Sequence, residues 1–395
     1  MRGWGPILLV YLVGMLAAAQ LGKLAPLVGL LSRELEVSLT AAVWLTSWLE
    51  IGGATLGVVA GVAVSRLGAR RSLALGSGLL LLGGAGLALS GRFEALVAAR
   101  SLEAAGYLAV AIAAPSVIAQ ISTDAQRPSA MALWSTFVPV GLAVGVAGSG
   151  ALADLVPWRQ AAGANTVLCT LVVAAALLWL RGRGDAPAPA AGAKWPPLPV
   201  WLMAGGFFFY TAFEVALMVL LPTFLAERAG LSIAAAGAVT GFASVASIAG
   251  SVWAAVAMRR RRPPTEIAAI GLLVPAILVA PVFLWDLGAA GASVLAIAAL
   301  AVSGMPPALV FARLPEMAGG GDRTVRGNGA LAQTGASGAL LGPPLCAALA
   351  TGLGWESLAW ALGALALASL ALHWLAEERA RSGSPDAHPQ PVRGS

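Results

Sequence analysis

Residues 6–31, PILLVYLVGMLAAAQLGKLAPLVGLL, carry a single charge, Lys23, in an otherwise apolar run. An α-helix crosses the roughly 30 Å of bilayer hydrocarbon in about 20 apolar residues, so this stretch is long enough to span. Lipid offers backbone N–H and C=O groups no partner, and the run lacks the alternation of a barrel strand, which leaves the helix. Its length and the lack of a small-residue cleavage site mark it as a retained helix and not a removable signal peptide.

Eleven further runs follow, near Thr40–Val64, Ser72–Leu89, Ala95–Ile121, Ser129–Leu152, Trp158–Leu180, Pro199–Leu225, Ile233–Met258, Thr265–Leu284, Ala289–Ala312, Asn328–Thr351 and Trp355–Leu375. With 59% of 395 residues hydrophobic, 11% charged and a mean hydropathy of +0.85, little chain is left for a soluble domain. The expected fold is all-α: a polytopic membrane protein of about twelve transmembrane helices in two pseudo-symmetric six-helix bundles, residues 1–180 and 199–376. Between them, residues 181–198 hold an Ala-Pro-Ala-Pro run and scattered charges, the composition of a cytoplasmic linker. Residues 377–395 read as a disordered cytoplasmic tail.

Lys and Arg are retained on the cytoplasmic side of short loops. With both termini inside, Arg66, Arg70, Arg71, Arg127, the run Arg259 to Arg262, Arg323 and Arg326 fall inside with the linker and terminal cations, while only Arg33, Arg92, Arg159 and Arg228 fall outside. The net charge of +6 therefore reflects topology in a cell's inner (plasma) membrane and not nucleic-acid binding. Trp4, Trp158, Trp179, Trp195, Trp201, Trp285, Trp355 and Trp374 lie near predicted helix ends, as an interfacial belt requires.

The halves carry traces of duplication. Gly141, Gly145, Leu152, Ala153 and Trp158 recur 197 residues later as Gly338, Gly342, Leu349, Ala350 and Trp355, and an offset of 194 relates Ser38, Ala41, Ala42 and Thr46 to Ser232, Ala235, Ala236 and Thr240. Small residues four apart let helix backbones approach closely in lipid, so the glycines are expected at helix contacts. Transporters built from repeated halves commonly bind substrate between them.

Three motifs make the chain resemble the major facilitator superfamily over essentially its whole length. The loop Gly61-Val-Ala-Val-Ser65-Arg66-Leu-Gly68-Ala-Arg70-Arg71 is similar to that family's signature between helices 2 and 3, with Ser65 where the family usually has Asp. Arg100-Ser-Leu-Glu103-Ala-Ala-Gly106 is similar to its helix 4 pattern. Gly141-x-x-x-Gly145 with Gly150, echoed by Gly338-x-x-x-Gly342-Pro343, is similar to the helix 5 pattern of proton-driven antiporters, with Val146 in place of that motif's Pro. The resemblance implies gating roles for Gly61, Arg66, Gly68, Arg70, Arg71, Gly141, Gly145, Gly338, Gly342 and Pro343. Leu21-Gly-Lys23-Leu-Ala-Pro26 followed by Leu35-x-x-Ser38 also resembles the cyanate permease branch.

An ionisable side chain near the bilayer centre faces a cavity or a partner. Those within spans are Lys23, Glu50, Arg100, Glu103 and Glu214. Arg100, Glu103 and Tyr107 share one helix face, as do Phe207, Tyr210 and Glu214, and Gln20 stands beside Lys23. Lys23, Gln20, Arg100, Tyr107 and Tyr210 are candidates for substrate contact, and Glu214, Glu50 and Glu103 for proton coupling. Structural alternatives stand beside these roles: Arg100 and Glu103 neutralise each other, and Lys23 pairs with Glu50 or reaches toward the interface. Arg313 and Glu316 fall near the cytoplasmic end of the tenth run, and His373 near the tail.

Cys169 and Cys346 lie within spans and suggest neither disulfide nor metal site. No phosphate-binding loop or nucleophile triad occurs, so the chain reads as a non-enzyme without cofactor, driven by an ion gradient. The expected function is secondary transport by a monomer, first of a small anion drawn by Lys23 and Arg100 and coupled to protons. The alternatives are proton-driven export of an amphipathic compound and a non-transporting membrane sensor or scaffold.

Overall fold

The computed structural model describes residues 4–123, 125–180, 195–319 and 321–382. The chain forms twelve helical passes over these residues: α1 (Gly5–Glu34), α2 (39–67), α3 (Ala69–Leu89), α4 (Phe93–Ile121), α5 (127–153), α6 (Trp158–Leu180), α7 (Leu198–Glu227), α8 (Ile233–Arg259), α9 (Pro264–Leu284), α10 (Gly288–Ala318), α11 (Gly321–Leu353) and α12 (Ser357–Ser382). Nine of them are by themselves long and apolar enough to cross a bilayer. Every expected run is a helix. Most of the expected linker, residues 181–194, lies outside the described residues, and α7 starts at Leu198.

The tail expectation is corrected at its start. Helix α12 continues to Ser382, because Glu377 is buried and its carboxylate accepts from Arg313 Nε at 2.9 Å and Nη2 at 2.8 Å on α10. Residues 383–395 lie outside the described set.

The repeat is real at the level of local structure. Ser38 and Ser232 each cap their helix, accepting at 3.1 Å from the backbone N–H of Ala41 and Ala235, a contact worth about 1 kcal/mol. Trp158 and Trp355 are both buried against the first helix of their own half, Trp158 donating to Glu34 at 2.6 Å and Trp355 meeting Phe224 edge to face. The glycine pairs follow the same rule. A β-carbon on Gly141 or Gly145 would strike the backbone of Met15 or Ala19 on α1, and one on Gly338 or Gly342 that of Phe208 or Ala212 on α7.

The turn between α2 and α3 is one residue, Gly68, at φ 89°. That conformation is open to glycine at no steric cost, which explains its place in the basic loop. Arg66 and Arg71 are exposed and Arg70 half-buried; Gly61 lies within α2, and the side chain of Ser65 is outside the described set.

Two seams between the halves are α5–α8 and α2–α11. Helix α5 packs on α8, with Gly150 against Gly237 (a β-carbon there would lie 3.2 Å from the opposing Cα), and Ser244 Oγ donates to the Pro139 carbonyl at 2.9 Å. Helix α2 packs on α11, with Gly53 and Gly57 against Ala336 and Gln333.

Candidate functional site

Helices α1 and α2 are both interrupted within their length. In α1 the α-helical geometry stops at Gly22 and a 3₁₀ turn, Ala25–Leu27, precedes the final segment. In α2 a 3₁₀ turn occupies Trp48–Glu50. Tightened turns change which carbonyls find an intrahelical donor, and a mid-helix 3₁₀ segment often marks a hinge. Arg100 on α4 serves the groups at both interruptions: Nε donates to Leu45 O at 3.0 Å, Nη2 to Thr46 O at 2.7 Å and Nη1 to Gln20 O at 3.1 Å. The same Nη1 reaches Glu103 Oε2 at 2.7 Å, and Lys23 Nζ reaches Glu103 Oε1 at 2.5 Å.

Lys23, Arg100 and Glu103 are therefore brought together, fully buried, as a three-charge cluster within the first half. A carboxylate buried with this many charged and polar donors is satisfied in place. Both cations are buried and engaged by Glu103. The sequence alternative in which Arg100 and Glu103 neutralise each other is the one the geometry contains, with Lys23 as a third member, paired to Glu103 and not to Glu50. Gln20 is likewise buried, donating to Leu16 O at 2.8 Å and to Asn165 Oδ1 on α6 at 2.9 Å. Asn165 was not singled out in the sequence, though an amide in an apolar span is the signal that finds it.

Tyr210 is also part of a core. It stacks on Phe207 with centroids 5.6 Å apart, and Phe207 meets Phe311 edge to face. Tyr107 is half-buried on α4, beyond the cluster.

Two carboxylates stand apart. Glu50 ends the 3₁₀ turn of α2 and is half-buried, with no ion pair or hydrogen bond to a described residue. Glu214, seventeenth of the thirty residues of α7, accepts one hydrogen bond, from Ser303 Oγ at 3.3 Å. Ser303 closes the first segment of α10, which breaks at Gly304 before Met305-Pro306-Pro307. The break is held by α8: Gly304 lies against the Ser247 carbonyl, and Ser251 Oγ donates to Gly304 O at 3.0 Å. Pro306 and Pro307 lack backbone N–H donors and open the segment after the break, whereas Ser303 carries no comparable signal in the sequence. The second proline pair, Pro343-Pro344, lies within a continuous α11.

A further polar group lies toward the end of the second half that carries the chain terminus. His373, expected near the tail, is buried inside α12 with Nδ1 2.8 Å from Ser369 O, and it lines a small cavity with Arg313 and Glu377. Arg313 is held there by Glu377 and Glu316. Cys169 and Cys346 are buried free thiols.

Two comparisons with known proteins agree with this architecture. Two solved structures are similar along nearly the whole chain, both of a bacterial homolog to the human lysosomal transporter Spinster. The inward-facing and occupied form is 16% identical, with a TM-score of 0.76, covering 94% of this chain and 96% of that one. The inward-facing and unoccupied form is 17% identical, with a TM-score of 0.68 and 96% of each chain covered. At these identities the likeness shows the fold. No curated protein sequence matches the chain significantly. Residues 10–331 match the family description of the Major Facilitator Superfamily. With most of its length matched and twelve helices in two related halves, the chain belongs to the Major Facilitator Superfamily of membrane transporters.

Proposed function

We propose that this protein is a proton-coupled secondary transporter whose substrate, a cationic or neutral amphipathic solute, binds between the two halves. The observation that carries this reading is the distribution of charge. The cations expected to attract an anion, Lys23 and Arg100, are engaged by Glu103 and by backbone carbonyls. Among the described residues near mid-span, the carboxylates without an ion pair are Glu50 on the first half and Glu214 on the second. A region between halves bearing carboxylates and no accessible cation favours a positive ligand or a proton over an anion. The runner-up of the sequence reading, proton-driven export of an amphipathic compound, therefore takes precedence over anion uptake. The clustered arginines support an inner-membrane orientation with both termini cytoplasmic.

In this reading Glu214 exchanges a proton for substrate as the halves rock, and its neutral form is the one compatible with the closed, dehydrated state. The test is transport in proteoliposomes with an imposed proton gradient, using a panel of cationic dyes and small carboxylates. Gradient-driven accumulation of a cationic dye is expected to collapse in Glu214→Gln while substrate exchange without a gradient survives. Accumulation of carboxylates and not of dyes refutes the substrate class; full accumulation by the Gln variant removes Glu214 from the coupling step.

A further inference from the structure

The two seams between the halves are equivalents under the internal repeat. The offset of 194 that relates Ser38 to Ser232 also relates Glu50 to Ser244, and the offset of 197 that relates Gly141 to Gly338 also relates Pro139 to Ala336. At the α5–α8 seam the Ser244 hydroxyl donates to the Pro139 carbonyl at 2.9 Å, a neutral hydrogen bond between halves. At the α2–α11 seam the equivalent place is held by a carboxylic acid facing an alanine. One point, the position of a β-carbon on Gly53, lies 2.7 Å from the Ala336 β-carbon and 3.5 Å from Glu50 Oε2, so the carboxyl sits at the contact itself.

We propose that Glu50 makes the α2–α11 seam proton-dependent: the seam closes only with Glu50 neutral, and loss of its proton opens it. This rests on the alternating-access reading above and assigns Glu50 a part distinct from that of Glu214.

The chemistry follows from what surrounds the group. From α4 it is faced by Arg100 and Tyr107. Arg100 has its donors directed to three carbonyls and Glu103, and Lys23 of α1 is paired to the same Glu103. Helix α11 meets the contact beside it with Ala336, and Gly57 one turn further on with Gln333; neither side chain ionises. Arg100 is a nearby cation, but it makes no ion pair or hydrogen bond with the half-buried Glu50, and drawing an unpaired charge further from water at this contact is unfavourable. Opening lets water reach it. Glu50 also ends the 3₁₀ turn of α2, which directly follows the Leu45 and Thr46 carbonyls that Arg100 holds, so the charge acts where that helix is already interrupted. The α5–α8 seam, with a serine in the equivalent place, has no group there that titrates.

The experiment uses the full chain in lipid nanodiscs, without substrate, with spin labels at Thr40 and Gly352 on the ends of α2 and α11 and a control pair at Leu155 and Ala238 across α5 and α8. Raising the pH is expected to shift the Thr40–Gly352 distances from a short to a long population, with no shift in the control. Glu50→Gln is expected to hold the short population at every pH, and Glu50→Asp, the safeguard should the Gln variant misfold, to titrate with a displaced midpoint. A pH-independent wild-type distance overturns the proposal, as does a titration unchanged in both variants or one shared by the control. Because no transport is measured, failure of the coupling reading at Glu214 leaves this result standing, and the reverse holds as well.

Discussion

Lys23 Nζ and Glu103 Oε1 lie 2.5 Å apart inside the first half, joining α1 to α4 with both side chains sealed from solvent. Arg100 Nη1 holds the other carboxylate oxygen at 2.7 Å.

The first prediction concerns this cluster. Removing one partner of a buried ion pair costs about 3–5 kcal/mol because a charge is left uncompensated. Glu103→Gln strands two cations and is expected to lower the melting temperature of the purified protein most. Lys23→Met leaves Glu103 paired to Arg100 and is expected to cost less. Substrate affinity lost in Lys23→Met at unchanged stability returns Lys23 to the binding site.

A second prediction separates packing glycines from permissive ones. Gly145→Ala and Gly342→Ala each drive a methyl into the backbone of a neighbouring helix, at Ala19 and Ala212, where no side chain can move aside. Overpacking of this kind destabilises by about 1–3 kcal/mol or more. Gly148, with nothing within 4 Å of an added β-carbon, is the control, and Gly148→Ala is expected to be neutral or to stabilise by up to ~1 kcal/mol. Thermal melts of the three variants check the order.

The third prediction tests where α12 ends. A chain stopped after Ser382 keeps the Arg313–Glu377 contact and is expected to melt with the full-length protein. One stopped after Ala376 loses the bidentate partner of Arg313 and is expected to melt lower. Equal melting of the two truncations removes the contact from the stability of the second half.

Orientation gives a fourth. A cysteine at Gly91, in the exposed turn between α3 and α4, is expected to react with impermeant thiol reagents in intact cells, and one at Arg260, in the turn after α8, to react only after lysis. The reverse pattern inverts the topology.

The sequence by itself determined the helices, their order and the repeat. Partition into lipid, the cap at Ser38 or Ser232 and the left-handed turn at Gly68 depend on residues close together along the chain, and the glycine register of Gly141–Gly145 and Gly338–Gly342 states what each helix must be packed against without naming the neighbour. Only the tertiary structure decided what the charges do. Lys23 and Glu103 are 80 residues apart, Arg100 and the Leu45 carbonyl 55, and Glu214 and Ser303 89. Which of these meet depends on how each helix is rotated against its neighbours, and that rotation is set by long-range packing of surfaces uniformly apolar in sequence. For the same reason Lys23 and Arg100 read as an anion site along the chain, while the fold sets both against Glu103. Glu377, read as the start of a tail, belongs to a helix because Arg313, 64 residues earlier, reaches it.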